Sequence, residues 1–240
     1  MPVIASKNLI RLFIFMQIIQ ACSASNPTLM QPDAETPPPA GPKYLALGDS
    51  YTIGESVAPG SRFPVQLHKQ LYDAGIEIAE PEIIARTGWT TDELAEAIAQ
   101  SAKKPEYKLV TLLIGVNNQY RGRNAEEYRD QFRQLLRTAI YLAGNNERRV
   151  IVLSIPDYGY TPYGAPNREK ISREIDLFNQ INLEETRSIG ANYVDITPIS
   201  RRGLSEPALV AGDRLHPSAE MYRLWVELLL PGASEILKGP

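Results

Sequence analysis

From residue 44 onward, hydrophobic positions alternate between two spacings. Tyr44-Leu45-Ala46-Leu47 is a short apolar run that ends at Gly48. Between Arg62 and Ala74 the apolar residues return at helical intervals, which puts Phe63, Leu67 and Leu71 on one face. Ile76 to Ala85 contains a β-branched run. Thr90 and Thr91 followed by Asp92-Glu93 read as a capped helix start, carried on through Leu94, Ala97 and Ile98. Leu109 to Ile114 is continuously apolar and bounded by Gly115, the pattern of a strand covered on both faces. Asn124 to Ala143 predicts a long amphipathic helix using Tyr128, Phe132, Leu135, Leu136 and Ala139. Val150 to Ile155 is a second buried strand, stopped by Pro156. Ile171 to Ile189 predicts a helix with Ile175, Phe178, Ile181 and Leu183 among its apolar residues. Tyr193 to Ile196 predicts a short strand, and Ser218 to Leu230 a last helix entered through Pro217.

Strand and helix alternate about five times, so the expected fold is α/β: a three-layer α/β/α sandwich around a central parallel sheet of about five strands. Right-handed crossovers place helices on both faces. No repeat of fixed period and no shift of composition after Pro42 suggests a second domain. Sites in such sheets lie beyond the carboxyl ends of the strands.

The first residues follow a different pattern. Lys7 and Arg11 are the only charges before Asp33, and residues 12–21 form an apolar block. That block is too short to span a bilayer, which takes ~20 apolar residues. It has the length of a signal-peptide core behind a positive start. Ile19-Gln20-Ala21-Cys22 resembles the bacterial lipoprotein box, in which the Cys is lipidated and becomes the new N-terminus. The expected organisation is a lipoprotein signal peptide over 1–21, a lipidated Cys22 with a Pro-rich tether over 22–42, and one folded domain over 43–240. Simple cleavage after Ala21 or Ala24, or a buried helix with a core Cys, are the alternatives. Ser23 to Pro42 contains six Pro and joins no helix or sheet ladder. The expected location is the bacterial cell envelope, anchored to the outer membrane and facing periplasm or surface, with secretion as the alternative.

The 240 residues include one Cys and two His, with a net charge of −3. One Cys excludes an internal disulfide framework and a Cys-rich zinc site. The mild acidity argues against a nucleic-acid partner. No G-x-G-x-x-G or Walker sequence follows a strand, so a phosphate-binding role has no support.

Chemistry-bearing residues sit just after the apolar runs: Gly48-Asp49-Ser50-Tyr51, Arg86-Thr87-Gly88-Trp89, Gly115-Val116-Asn117-Asn118 and, before the last helix, Asp213-Arg214-Leu215-His216-Pro217. A serine hydroxyl needs an adjacent base at neutral pH. His68 falls mid-helix and reads as a solvated side chain, whereas His216 is fixed by a turn at a helix entrance. Asp213, three residues earlier, can reach the far ring nitrogen and hold the tautomer. The N–H of Ser50, the N–H of Gly88 and the side-chain amide of Asn117 are candidate donors to an oxyanion. Asp49 reads as a loop-holding group.

In order and spacing these four blocks resemble the SGNH (GDSL-type) hydrolases from about Lys43 to Leu230. The resemblance implies a flavodoxin-like sheet, a Ser50–His216–Asp213 triad, an oxyanion hole of Ser50, Gly88 and Asn117, and a serine esterase that needs neither metal nor organic cofactor. Tyr51 stands where the family name has Leu. The implied substrate is an ester: a small acyl ester, a lysophospholipid or an acetylated glycan. A carbohydrate O-deacetylase and a non-catalytic envelope binding protein are the alternatives. Tyr51, Trp89 and Tyr120, with the aromatic stretch 156–163, are candidate substrate contacts. Arg121 and Arg123 are placed to meet an anionic leaving group or to be solvated. The long 197–212 segment is expected to be a flap near His216.

Overall fold

The computed structural model describes residues 41–239. The signal peptide, Cys22 and all but the end of the tether lie outside the described residues. Five strands, β1 (Tyr44–Gly48), β2 (Glu82–Ala85), β3 (Leu109–Leu113), β4 (Val150–Leu153) and β5 (Asn192–Val194), form one parallel sheet in the order β2-β1-β3-β4-β5. Every residue of β1, β3 and β4 is buried, as their unbroken apolar runs require, while the edge strands β2 and β5 are partly open. The strand order reverses between β1 and β3, and a crevice opens at such a switch point.

Local chemistry sets the helix limits. α1 (Ser50–Ile53) is a single turn capped by Asp49, whose Oδ1 accepts from Tyr51 N at 3.0 Å, and it ends at Gly54 with φ +73°. α2 (Phe63–Asp73) buries Phe63, Leu67 and Leu71 completely. Each such side chain contributes roughly 1.5–3 kcal/mol. α3 (Thr91–Gln100) starts with a capping box in which Thr90 and Glu93 satisfy one another's first-turn donors. α4 (Val116–Tyr120) follows β3 directly. α5 (Ala125–Leu142) is capped by Asn124, which accepts from Glu126 N and Glu127 N. α6 (Arg168–Ile189) ends at Gly190 with φ +82°, and α7 (Thr197–Ser200) is one turn after β5. α8 (Ala219–Lys238) is capped by Ser218. α2 and α8 pack together on one face of the sheet, and α3, α5 and α6 pack in succession on the other. The three-layer sandwich and the five-stranded parallel sheet follow the expectation.

Three local expectations do not hold. α8 does not stop at Leu230 but continues through Pro231, because fully buried Leu229 and Ala233 anchor the helix on either side of it. His68 is half-buried rather than solvated. α8 lies along α2, and the His68 Nδ1 is shielded without a hydrogen-bond partner among the described residues. Residues 197–212 are not a loose flap. Leu209 is buried, Arg201 is paired with the fully buried Asp157 (3.0 Å) and with Asp176 (2.6 Å), and Val210 bridges to Pro217.

Candidate active site

The site begins with the sharp exit from β1. A Cβ on Gly48 would collide with Thr52 Oγ1 and the Leu113 carbonyl, so only glycine lets α1 fold back against β3. The turn delivers Ser50 to the carboxyl end of the sheet. Asp49 is fully buried behind it, one oxygen capping α1 and the other, Oδ2, without a partner among the described residues. Burial pushes the Asp49 carboxyl up to about 7, against the opposing pull of the Tyr51 N–H. As expected, Asp49 holds the loop.

Beyond β2, Gly88 has φ +88°, and a Cβ there would meet nothing closer than Arg121 Nη2 at 3.9 Å. The backbone angle, a left-handed one, is therefore what requires glycine here, and no protein atom crowds the position. The carbonyl of Gly88 accepts from Arg121 Nη2 at 2.6 Å, and Arg121 Nη1 pairs with Glu93 at 3.3 Å. Arg121 thus ties down the Gly88 turn, while Arg123 lies near Asp92 and Glu127. After β3, the Asn117 amide donates to the Trp89 carbonyl at 3.0 Å, which leaves its second N–H for another acceptor. Asn118 clamps Thr91 in both directions, accepting from its N–H (3.1 Å) and donating to its Oγ1 (2.7 Å). These bonds fix the two loops to one another.

Four donors converge on Asp213. Oδ1 accepts from Leu215 N and His216 N, each at 3.0 Å; Oδ2 faces His216 Nδ1 at 2.6 Å and accepts from Ser56 Oγ at 2.7 Å. Burial alone would raise the Asp213 pKa, but Ser56, the two backbone N–H groups and the His216 ring outweigh it and hold the carboxyl well below the usual range. Ser56 adopts φ +66°, a left-handed angle that costs a non-glycine residue energy. It joins the segment carrying Ser50 to the turn carrying His216. Spacing alone gave no signal for Ser56, because the partners lie 157 positions apart.

Ser50, Gly88, Asn117 and His216 line one cavity of about 240 Å³, with Tyr51, Tyr120, Tyr158 and Tyr163 among its other walls. Tyr51 is buried and packs edge-on to the His216 ring, centroids 5.8 Å apart. The exposed Tyr120 hydroxyl meets that of Tyr163 at 2.9 Å. Trp89 does not line the cavity: its half-buried side chain packs on the core, and only its carbonyl serves the site. Among the described residues no group of three or more His, Cys, Asp or Glu side chains is arranged to hold a metal ion, and no helix is long and apolar enough to cross a membrane.

A model of the GDSL-like lipase/acylhydrolase family matches residues 46–224. The chain belongs to that family. It is a hydrolase acting on ester bonds. Solved structures share its fold. TesA matches at a TM-score of 0.65 and 16% identity, over 81% of this chain and 99% of its own. The psychrotrophic esterase EstA from Pseudoalteromonas sp., solved inhibited by monoethylphosphonate, matches at 0.63 and 16%, over 82% and 99%. Axe2, an acetylxylan esterase from Geobacillus stearothermophilus, matches at 0.54 and 20%, over 83% and 95%. At these identities the likeness is one of fold. A search of the curated proteins found no matching sequence.

Proposed function

We propose that this GDSL-family hydrolase is a serine esterase of carboxylic esters, with Ser50 as nucleophile, His216 as base and Asp213 as its orienting partner. The observation that carries the reading is the convergence of Ser50 and His216 on one cavity while Asp213 Oδ2 lies 2.6 Å from His216 Nδ1. With Nδ1 protonated against Asp213, Nε2 is free to accept the serine proton. Ser50 Oγ attacks the ester carbonyl, and the tetrahedral oxyanion is met by Ser50 N, Gly88 N and Asn117 Nδ2. The imidazolium gives its proton to the departing alcohol, leaving an acyl-serine. Water, deprotonated by His216, then releases the acid and regenerates Ser50.

Support also comes from the monoethylphosphonate-inhibited esterase and the acetylxylan esterase that share the fold. The test is labelling by a fluorophosphonate probe together with turnover of p-nitrophenyl acetate. Ser50→Ala is expected to abolish both with an unchanged far-UV CD spectrum, and full residual turnover would refute the assignment. The segment before the domain supports a lipid-anchored envelope location through Cys22. Metabolic labelling with palmitate should occur and be lost in Cys22→Ser.

A further inference from the structure

The three donors of the proposed oxyanion hole stand on three different segments, and they act together only if those segments keep fixed distances. Residues 86–89 form a tight turn, closed by the Trp89 N–H on the Arg86 carbonyl at 3.2 Å. Gly88, with φ +88°, takes its third position, which makes the turn type II. The turn follows the edge strand β2, whose one neighbour in the sheet is β1. Towards α4 it is held twice, by Asn117 Nδ2 on the Trp89 carbonyl and by Arg121 on the Gly88 carbonyl. Towards the serine, the ladder of β1 and β2 ends at the pair Gly48 and Ala85. Beyond it, Thr87 Oγ1 donates to Glu55 Oε2 at 2.5 Å, the one side-chain hydrogen bond between residues 49–57 and 86–90 among the described residues. Glu55 is itself built into the serine turn, because its N–H donates to the Ser50 carbonyl at 3.0 Å. The next residue, Ser56, reaches the other way to Asp213.

We infer that Glu55 is a positioning residue of the oxyanion hole: through Thr87 it sets the distance between the Gly88 N–H and the Ser50 N–H. The inference rests on the serine-esterase reading of the site. A four-residue turn closed on itself moves as one piece, so an anchor on Thr87 also places the N–H of the residue after it. Thr87 is β-branched and stiff about χ1, so a bond at its Oγ1 holds the backbone and not a swinging arm. The path from one donor to the other runs through the Ser50 carbonyl, the Glu55 N–H, the Glu55 carboxylate and the Thr87 hydroxyl to Gly88. Thr87 lines the cavity and Glu55 does not, so Glu55 acts on the reaction through Thr87 and makes no contact with substrate. Preplaced donors serve the charge that develops in the transition state. A misplacement of about 1 Å can cost a rate ~10²-fold. Loss of the tie therefore slows the chemistry more than it weakens binding.

The experiment measures kcat and KM for p-nitrophenyl acetate, and the inhibition constant of a trifluoromethyl ketone, on the full chain and its variants. The ketone is a probe of the hole: Ser50 Oγ adds to its carbonyl carbon, the serine proton passes to His216, and the carbonyl oxygen becomes the oxyanion. Glu55→Ala should lower kcat by roughly 10- to 100-fold with KM changed by less than about threefold, and weaken the ketone by a factor similar to that in kcat. Thr87→Val, which replaces the hydroxyl with a methyl, should do the same and serves if the Ala variant does not fold. The double variant should be no slower than either single one, because the two side chains make one link. Glu55→Gln keeps an acceptor for the Thr87 hydroxyl and should recover most of the loss. Losses of less than about twofold in kcat, losses that multiply in the double variant, an effect on KM alone, or a Gln variant as slow as the Ala variant would each overturn the inference. Fluorophosphonate labelling of Ser50 in the native protein separates the two levels. Labelling and turnover that the Glu55 and Thr87 variants leave intact refute the tie alone, and no labelling refutes the ester-hydrolase site beneath it.

Discussion

Replacing Asp213 by Asn alters one proton pattern while keeping the side-chain shape. In the native turn Oδ1 receives two backbone N–H groups at 3.0 Å, and Oδ2 receives Ser56 Oγ at 2.7 Å and faces His216 Nδ1 at 2.6 Å. An Asn amide must keep its oxygen on the Oδ1 side. The opposite orientation would set its NH2 against two N–H donors and forfeit two bonds of about 1 kcal/mol each. The NH2 then points at Ser56 and His216. The Ser56 hydroxyl can rotate to accept. The imidazole can accept only by moving its proton to Nε2, the nitrogen that takes the serine proton in the proposed mechanism. A wrong tautomer of this kind costs a Ser-His-Asp triad about 10⁴ in kcat, or roughly 5 kcal/mol at 1.36 kcal/mol per decade. Asp213→Asn is therefore expected to lose about 10⁴ in kcat for p-nitrophenyl acetate with little change in Tm. Histidine ¹⁵N shifts should show His216 protonated on Nε2 in the variant and on Nδ1 in the native protein. Activity within tenfold of native, with the tautomer unchanged, would refute the argument.

On the proposed mechanism Asn117→Ala removes one oxyanion donor, together with the tie to Trp89, and kcat should fall by roughly 10²–10³ with a smaller change in KM; a KM effect alone would make Asn117 a binding residue instead. Ser56→Ala and Ser56→Gly both delete the hydroxyl that reaches Asp213, so both should lose kcat/KM equally, by a few fold given that Ser56 is exposed. The Gly variant should be more stable than the Ala variant by about 1 kcal/mol in denaturant melts, since glycine accepts the left-handed angle; equal stabilities would contradict the φ of +66°. Asp49, with its carboxyl raised from 3.8 to about 7, is protonated in the native state over a range where the unfolded chain has released that proton. Its contribution to stability is present below about pH 4 and declines as pH rises toward 7. Asp49→Asn keeps the oxygen that caps α1 and should flatten Tm between pH 5 and 8. The carboxyls held low, Asp213 and Glu185 among them, act with opposite sign at lower pH and do not mask the effect. A decline as steep as the native one would assign the slope to other groups.

The sheet was legible because β1, β3 and β4 are buried on both faces and so are written as unbroken apolar runs. The helix starts at Thr90 and Asn124 were legible because capping is local chemistry. The site blocks could be found because a parallel sheet puts its strand ends together, whatever the sequence distance. Features decided by distant packing were not legible. His68 is half-buried on a helix that packs against one from far down the chain. Trp89 turns inward although its neighbours line the cavity, and Pro231 survives because its helix is anchored on both sides. The same holds for Ser56, whose importance lies wholly in a partner at the far end of the sequence. The left-handed backbone of Gly88 was not legible either, since a sequence shows that a glycine is present but not which torsion it adopts.

The clasp between Ser56 and Asp213 has a consequence for the life of the molecule before it is finished. On the triad assignment, a growing chain carries its hydroxyl from an early stage but has no imidazole to activate it until the turn before α8 has been made and has closed back on the first loop. Synthesis itself thus acts as a safety catch: partial products cut short anywhere ahead of that turn are harmless to the ester-containing materials around them, and hydrolytic power arrives only once that turn has been made and has closed.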